Sequence, residues 1–193
     1  MEIRVATIED ASGIREVYAP YVVDTAVSFE YEIPSIEEMQ NRIKNTLEQY
    51  PYLVAVEENT IVGYVYAARF HTREAYQHSV ELSIYVRKDC RGLGIGRKLY
   101  RELEKMLVKQ NVYMVHACIA SPDGEDEYLT DDSEKFHAKM GFEIVGRHTK
   151  CGYKFGKWYS VIWMDKETCE KPEKASAFIP FKKISGSSAM LGV

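Results

Sequence analysis

The hydrophobic and polar positions of this 193-residue chain change period several times along its length. Some segments alternate apolar and polar residues or contain short β-branched runs, and both patterns are typical of strands. Other segments repeat apolar residues at helical spacing. The pattern predicts strands over residues 2–6, 52–57, 61–69, 79–87, 112–119, 142–149 and 158–165, and helices over 7–22, 36–47, 95–108 and 133–140.

Caps and turns support this assignment. Ser35 and Glu38 form a capping-box pattern at the start of the second helix, whose Ile36 and Met39 are predicted to face inward. Strand 79–87, helix 95–108 and strand 112–119 predict a parallel pair joined by a right-handed crossover. Hairpins are predicted elsewhere. The fold class is therefore mixed α/β, with a mostly antiparallel central sheet, one parallel strand pair and flanking helices.

The periodic pattern fades near the C-terminus, after residue 165. We therefore predict one domain over residues 1–165 and a C-terminal tail over 166–193. The small-residue end at 185–188 is typical of a surface tail that is partly disordered. The apolar run Phe178-Ile179-Pro180-Phe181 favours docking of part of this tail.

Composition excludes several functional classes. The net charge of −4 argues against a nucleic-acid partner, which requires a basic surface. No apolar run approaches the roughly 20 residues of a membrane span, and the N-terminal residues do not resemble a signal peptide, so a cytoplasmic location is expected. The four cysteines lack C-x-x-C spacing, which favours reduced thiols and no metal site. Cys118 is expected in a strand core.

The candidate chemistry centres on residues 80–99, where a strand, a glycine-rich loop and a helix start follow one another. Exposed backbone N–H groups at such a helix N-terminus bind anions. The loop lacks the Gly-Lys-Ser/Thr ending of a nucleotide-triphosphate loop and fails the dinucleotide pattern G-x-G-x-x-G, because position 97 is Arg. Glu81 lies within the strand, out of phase with its apolar face. It is either an ordinary solvent-facing residue or a proton acceptor whose pKa burial raises.

Several motifs point to one family. Arg91-Gly92-Leu93-Gly94-Ile95-Gly96 resembles the R/Q-x-x-G-x-G/A pyrophosphate loop of the GNAT superfamily of acyl-CoA-dependent N-acetyltransferases. Residues 133–142 resemble its second signature, a helix that ends in Gly-Phe. Residues 25–30, 80–86 and 152–158 resemble the phosphinothricin and methionine sulfoximine acetyltransferase branch. The resemblance covers most of the chain to about residue 165 and implies a GNAT-type fold, acetyl-CoA as co-substrate and a homodimer.

The resemblance implies specific contacts with the co-substrate. Backbone groups of Ile84, Tyr85 and Val86 would form hydrogen bonds with the pantetheine arm and with the thioester carbonyl. The loop would surround the pyrophosphate, with Arg91 and Arg97 either as phosphate ligands or as exposed helix-start cations. Asp123 occupies the place of an Asn in the branch and begins an acidic insertion. As a carboxylate it could accept a hydrogen bond from the pantetheine arm but could not donate one. The implied co-substrate residues are Ile84, Tyr85, Val86, Arg91, Gly92, Leu93, Gly94, Ile95, Gly96, Arg97, Asp123 and Ser133.

The resemblance also implies the chemistry. Glu81 would act as general base for the attacking amine, because only a neutral amine is nucleophilic. His137 stands where many relatives have a Tyr that reprotonates the thiolate, and it serves either as that acid or as a packing residue. Direct acetyl transfer to the amino group of a small amino acid or analogue, such as phosphinothricin or methionine sulfoximine, is implied.

The acceptor site is expected beside the segment 70–76, which falls where the branch binds its substrate. Arg73 is suited to bidentate capture of a carboxylate or phosphinate. Two alternatives to a small amino-acid acceptor stay open, namely a polyamine or a protein or peptide amine, and a CoA-binding module without catalysis. The candidate acceptor residues are Phe29, His71, Thr72, Arg73, Tyr76, Leu82, Ser83 and Trp158.

Overall fold

The computed structural model describes residues 1–185. Within this range the strands form one seven-stranded sheet in the order β1-β2-β3-β4-β5-β7-β6. Neighbouring strands are antiparallel except for β4 and β5, which are parallel. The predicted mixed fold with one parallel pair is confirmed. The elements are β1 (Glu2–Val5), α1 (Ala11–Val23), α2 (Ile36–Gln49), β2 (Tyr52–Glu57), β3 (Thr60–Arg69), β4 (Ser79–Val86), α3 (Ile95–Lys109), β5 (Met114–Ser121), α4 (Asp132–Lys139), β6 (Glu143–Lys154), β7 (Lys157–Glu167) and α5 (Phe181–Ser185).

Each face of the sheet is covered by helices. On one face, Leu99, Leu103 and Leu107 of α3 pack on alternating residues of the central strands, including Val80 of β4 and Val115 of β5. On the other face, α1 and α2 cover a second cluster that contains Ile14, Ile43, Tyr52 and Tyr64. Because side chains alternate along a strand, β4 directs Val80 and Leu82 into the first cluster and Glu81 and Ser83 to the opposite face.

Two predictions at element ends are wrong. The sixth strand was expected to end at residue 149, but β6 continues to Lys154, with an irregular register between His148 and Gly152. It is an edge strand exposed along almost its whole length, so burial does not impose an alternating pattern on it. Ile36, expected to face inward, is exposed at the first turn of α2, although Ser35 does accept the Glu38 N–H at 3.1 Å.

The C-terminal segment docks on the domain within the described residues. The Ile179 N–H donates to the Gln110 carbonyl at 3.1 Å, and the Gln110 side chain donates to the Ile179 carbonyl at 2.8 Å. Phe178 packs against the Tyr50 ring, and both Phe181 and Ile184 are buried. The predicted surface tail at 185–188 lies outside the described residues beyond Ser185. Among the helices of residues 1–185, none is long and apolar enough to cross a bilayer.

Candidate active site

The site begins where the parallel pair of strands separates. β4 and β5 pair with each other through Ser79↔Met114, Val80↔Val115 and Glu81↔His116. Both strands continue beyond these positions but are no longer paired with each other there. A cleft opens in the gap between them. Its lining combines residues of both strands with one loop residue and two from α4: Val27, Leu82, Ser83, Ile84, Tyr85, Ala117, Cys118, Ile119, Ala120, Ser133 and His137.

The backbone of β4 divides its hydrogen bonds between two sides. Val86 is paired with Gly63, and the next N–H, that of Arg87, donates to the Val62 carbonyl. In an antiparallel ladder this register commits the backbone groups of Tyr85 to β3 and turns those of Ile84 and Val86 toward the cleft. The predicted backbone contacts of Ile84 and Val86 therefore face the gap, whereas Tyr85 contributes its side chain.

A tyrosine from α1 is hydrogen-bonded to the backbone at the end of β4. The Tyr21 hydroxyl donates to the Val86 carbonyl at 2.5 Å and accepts the Val86 N–H at 3.3 Å. The Arg91 guanidinium lies over the Tyr21 ring at 5.3 Å from its centroid. Backbone groups that the sequence assigned to a ligand are thus hydrogen-bonded to a side chain of the protein itself.

The glycine-rich loop has the predicted form. Gly92 and Gly94 have φ values of +80° and +79°, and a Cβ on either would meet no atom within 4 Å, so the loop is open on its outer side. Only glycine adopts this left-handed conformation without strain. α3 starts directly after it at Ile95, and Arg91 and Arg97 are exposed beside it. The free N–H groups of the first helical turn can bind an anion here.

Glu81 lies at the last paired position, directly before the strands separate. Its side chain is half-buried, and this burial raises the pKa of the carboxyl above its usual range, while the nearby His116 and His71 partly oppose that shift. A carboxylate that binds a proton more readily than usual is suited to accept one from an ammonium group.

His137 is held by two hydrogen bonds. Its Nδ1 lies 2.7 Å from the Ser133 carbonyl, which can only accept, so Nδ1 donates and Nε2 accepts the Tyr100 hydroxyl at 2.7 Å. Burial lowers the pKa of His137 to about 4. The imidazole is therefore neutral at neutral pH, and both ring nitrogens have partners within the fold.

Asp123 and the acidic insertion face a different part of the surface. Asp123 forms an ion pair with Arg147 and accepts the Ser160 hydroxyl at 3.3 Å. The insertion is fixed to the β6–β7 hairpin by Asp126, whose carboxylate pairs with Lys157 at 2.9 Å. Of the predicted co-substrate residues, Ile84, Tyr85 and Ser133 line the cleft between β4 and β5, whereas Val86, Asp123 and residues 91–97 are not among its lining residues.

The acceptor segment covers the face that carries Glu81. Phe70 stacks on His116 with ring centroids 3.8 Å apart, and His71 contacts Tyr76 at 4.8 Å. Thr72 and Arg73 are exposed in this segment, whereas Leu82 and Ser83 line the cleft itself.

Two predicted acceptor residues lie on the β6–β7 hairpin side. Phe29 packs so closely on Gly152 that a Cβ at this glycine would lie 2.2 Å from its ring. Trp158 is 59% exposed and contacts Tyr153, and it is not a lining residue of the cleft. Phe29 also belongs to the same apolar cluster as Val27 and Ala120, two lining residues of the cleft.

Sequence reasoning missed three features of this region. Cys118 was expected in the core but is exposed to the cleft, where partial desolvation and the charge of Glu81 raise its thiol pKa to about 11. Lys154 is 2% exposed and donates to the carbonyls of residues 22, 25 and 28, which fixes the loop that carries Val27. His116 pairs with Asp165. Because Val115 and Ala117 are apolar, the sequence indicates that His116 lies on the opposite face of β5. Its neighbours on that face follow only from the register of β5 with β4 and β7.

The chain is similar to known acetyltransferases over most of its length. A model of the acetyltransferase (GNAT) domain matches residues 3–163. A phosphinothricin N-acetyltransferase from Streptomyces coelicolor is 30% identical over 170 residues, which cover 86% of this chain and 95% of the relative. An L-methionine sulfoximine/L-methionine sulfone acetyltransferase from Pseudomonas aeruginosa is 30% identical over 164 residues, with 84% and 91% coverage.

Two solved structures match over nearly their whole length. A GNAT superfamily phosphinothricin acetyltransferase from Sinorhizobium meliloti, in complex with acetyl-CoA, has a TM-score of 0.80 at 29% identity, covering 93% of this chain and 97% of its own. A putative acetyltransferase from Salmonella typhimurium with its cofactor acetyl-CoA has a TM-score of 0.82 at 25% identity, with 92% and 99% coverage. The chain therefore belongs to the GNAT family of acetyltransferases, and its co-substrate is acetyl-CoA.

Proposed function

We propose that this enzyme acetylates the amino group of a small amino acid or analogue of the phosphinothricin or methionine sulfoximine type, with Glu81 as general base. The observation that carries the proposal is the position of Glu81, a half-buried carboxylate at the point where β4 and β5 separate. The names of the S. coelicolor and P. aeruginosa relatives support the substrate class.

The residues present fit acetyl-CoA. The loop from Arg91 to Arg97 offers free N–H groups to the pyrophosphate, and the cleft-facing backbone of Ile84 and Val86 suits the amides of the pantetheine arm. Ser133 lines the same cleft. When bound, acetyl-CoA supplies an acetyl group activated as a thioester. At Val86 the arm replaces the Tyr21 hydroxyl, which makes the same two hydrogen bonds in this structure.

Transfer is direct in this proposal. Cys118 is the thiol among the lining residues and could carry an acetyl group, but its pKa of about 11 keeps it protonated and weakly nucleophilic at neutral pH. Glu81 instead accepts the proton of the acceptor ammonium, directly or through water. His137 positions α4 against Tyr100 rather than serving as the acid, because neither ring nitrogen is free.

The acceptor is held on the face of the sheet that carries Glu81. Arg73 is exposed and forms no ion pair within the described residues, so its guanidinium is available for a substrate carboxylate. His71, Thr72 and Tyr76 lie on the same segment. Phe29 and Trp158 form the outer wall of the acceptor site on the hairpin side.

We infer a homodimer in a reducing compartment, the cytoplasm. β6 is the exposed edge of the sheet, and Ile144 and Val145 on it are 54% and 59% exposed, a surface suited to a second copy of the chain. The cysteines at 90, 118, 151 and 169 are all free thiols. Sedimentation equilibrium of the chain and of Val145→Glu tests the assembly, and a monomeric wild-type chain contradicts it.

A thiol-release assay with acetyl-CoA tests the substrate class. The panel contains phosphinothricin, methionine sulfoximine, proteinogenic amino acids, a short peptide and spermidine. We expect turnover of the amino-acid analogues. Preferred turnover of spermidine or of the peptide would replace the small amino acid with the polyamine or peptide alternative, for which the acidic side chains around residues 125–134 would supply the binding surface.

Two variants test the assigned residues. Glu81→Gln is expected to lower kcat by about 100-fold or more, the usual contribution of a general base, while Glu57→Gln, an exposed strand carboxylate, leaves kcat unchanged. Arg73→Ala is expected to raise KM for carboxylated acceptors, with the exposed Arg101→Ala as control. Undiminished kcat in Glu81→Gln would remove the base assignment, and an unchanged KM in Arg73→Ala would place the carboxylate elsewhere.

A further inference from the structure

His116 is the residue directly across from Glu81, and it forms a buried pair with an acid. The Nδ1 of His116 lies 2.7 Å from an Asp165 carboxylate oxygen, with side-chain exposures of 9% and 24%. Glu81 pairs with His116 in the β4–β5 ladder, and His116 pairs with Asp165 in the β5–β7 ladder. These side chains therefore form one row across the sheet, on the face that holds the acceptor segment.

The second ring nitrogen of His116 is buried without a hydrogen-bond partner within the described residues. A carboxylate accepts, so Asp165 fixes the proton on Nδ1 and leaves Nε2 with a free lone pair. The two nitrogens of an imidazole face nearly opposite directions. Since Nδ1 is directed at β7, Nε2 is turned away from β7 and toward the β4 side, where Glu81 lies.

The Nε2 of His116 is shielded from solvent by its surroundings, whereas Glu81 is close enough to interact with this histidine. Phe70 covers the imidazole face with near-parallel rings, 16° apart. An acceptor molecule cannot touch the enclosed Nε2, so His116 can act only through a neighbouring side chain. The titratable groups that face this pair come from every adjacent element, namely Tyr66 from β3, Glu81 from β4, Cys118 from β5, Asp165 from β7, Glu143 from β6 and His71 from the 70–76 segment.

We propose that His116, held by Asp165, is a positioning residue that takes the proton from Glu81 and returns Glu81 to its carboxylate form. The inference rests on the proposed role of Glu81 as general base. Glu81 and Nε2 are not hydrogen-bonded in this structure, so the flexible, half-exposed Glu81 side chain must turn toward β5 to deliver the proton.

The proton balance defines what this relay carries. An ammonium group loses two protons when it becomes an amide, as the N–C bond forms and the C–S bond breaks. One proton remains on the thiol of the departing CoA, and the other is released. Glu81 accepts the released proton and Nε2 takes it from the Glu81 carboxyl. The resulting imidazolium then passes its Nδ1 proton to the Asp165 carboxylate, whose side chain is 24% exposed and releases the proton to solvent.

The experiment compares kcat across pH for wild type, His116→Phe and Asp165→Asn. Phenylalanine keeps the stacking with Phe70 and removes Nε2. We expect kcat to fall about tenfold or more with an unchanged KM for acetyl-CoA. The acid limb of the pH profile should move to higher pH, because His116 no longer opposes the raised pKa of Glu81. Asp165→Asn keeps an acceptor for Nδ1 without the charge and should lower kcat as well.

A double variant separates this inference from the base assignment. If His116 acts through Glu81, adding His116→Phe to Glu81→Gln lowers kcat no further. His78→Phe is the matched control. The Nδ1 of His78 binds the Asn111 carbonyl at a distance of 2.6 Å, and this pair is not part of the site. His116→Gln replaces His116→Phe should the latter fail to fold, as judged by circular dichroism.

The outcomes distinguish the two proposals. A wild-type pH profile in His116→Phe, together with an inactive Glu81→Gln, overturns the relay and leaves the base in place. Additive losses in the double variant also overturn it, because they show that His116 acts independently of Glu81. Full activity of Glu81→Gln removes the base and the relay together.

Discussion

Protonation of the buried His137 is predicted to destabilise the fold as the pH falls from 6.5 to about 4. The unfolded chain binds a proton at this histidine below its ordinary pKa of 6.5, whereas the folded chain binds it only below about 4. Between these values the unfolded state holds more protons, so the free energy of unfolding decreases as the pH decreases. The two pKa values differ by about 2.5, which corresponds to about 3 kcal/mol.

Urea unfolding at intervals from pH 4 to pH 7 measures this dependence. His137→Gln is the comparison, because its amide oxygen can accept from Tyr100 and its NH₂ can donate to the Ser133 carbonyl. The other titrating groups are shared, so the difference between wild type and variant isolates His137. This difference should change by about 3 kcal/mol across the range. A difference that does not change with pH would refute the assignment of His137 as buried and neutral.

Three further predictions concern stability, the loop and catalysis. Lys154→Met leaves three carbonyls without their ammonium donor and should lower the free energy of unfolding in urea by about 3 kcal/mol or more. The exposed Lys150→Met on the same hairpin should change it by less than about 1 kcal/mol. Gly94→Ala places a side chain at φ +79° and should raise KM for acetyl-CoA, while Gly146→Ala, which meets no atom within 4 Å, has no effect; equal KM values would contradict the role of the loop. The acid limb of the kcat/KM profile of the wild type should lie above pH 4.5. The raised pKa of Glu81 keeps the carboxyl protonated, and thus inactive as a base, to a higher pH than an ordinary glutamate. A limb at or below pH 4.5 would exclude Glu81 as the base.

The sequence predicted the elements well where one face of each is buried. The hairpin at residues 57–60 forms because Glu58 and Asn59 adopt positive φ values of 48° and 62°, as a tight two-residue turn requires. The glycine loop and the end of α4 at Gly141, with φ +90°, also depend on local chemistry that the sequence contains. The extent of β6 was missed because a strand exposed on both faces carries no hydrophobic alternation.

The surroundings of the candidate site could be predicted only in part. The alternation of β4 placed Glu81 off the apolar face, but the row that joins it to His116 and Asp165 depends on the registers of two separate ladders. Lys154 lies more than 100 residues from the carbonyls it binds, and a lysine in a sequence gives no indication of burial. Such contacts arise from long-range packing, which local pattern does not encode.

In the cleft, the middle of the sheet exposes unpaired strand backbone of the kind usually found only at a sheet edge. Beyond Glu81, the cleft-facing backbone groups of β4 are no longer paired with β5, and unpaired strand backbone binds other extended chains readily. Tyr21 covers this edge at Val86 by both donating and accepting hydrogen bonds, as a peptide or a pantetheine amide does. Loss of the hydroxyl in Tyr21→Phe would leave these groups without a side-chain partner, so an amide-bearing ligand would no longer have to displace it. The variant should therefore bind CoA more tightly in a calorimetric titration. Weaker binding would show that Tyr21 contacts the ligand rather than occupying its place.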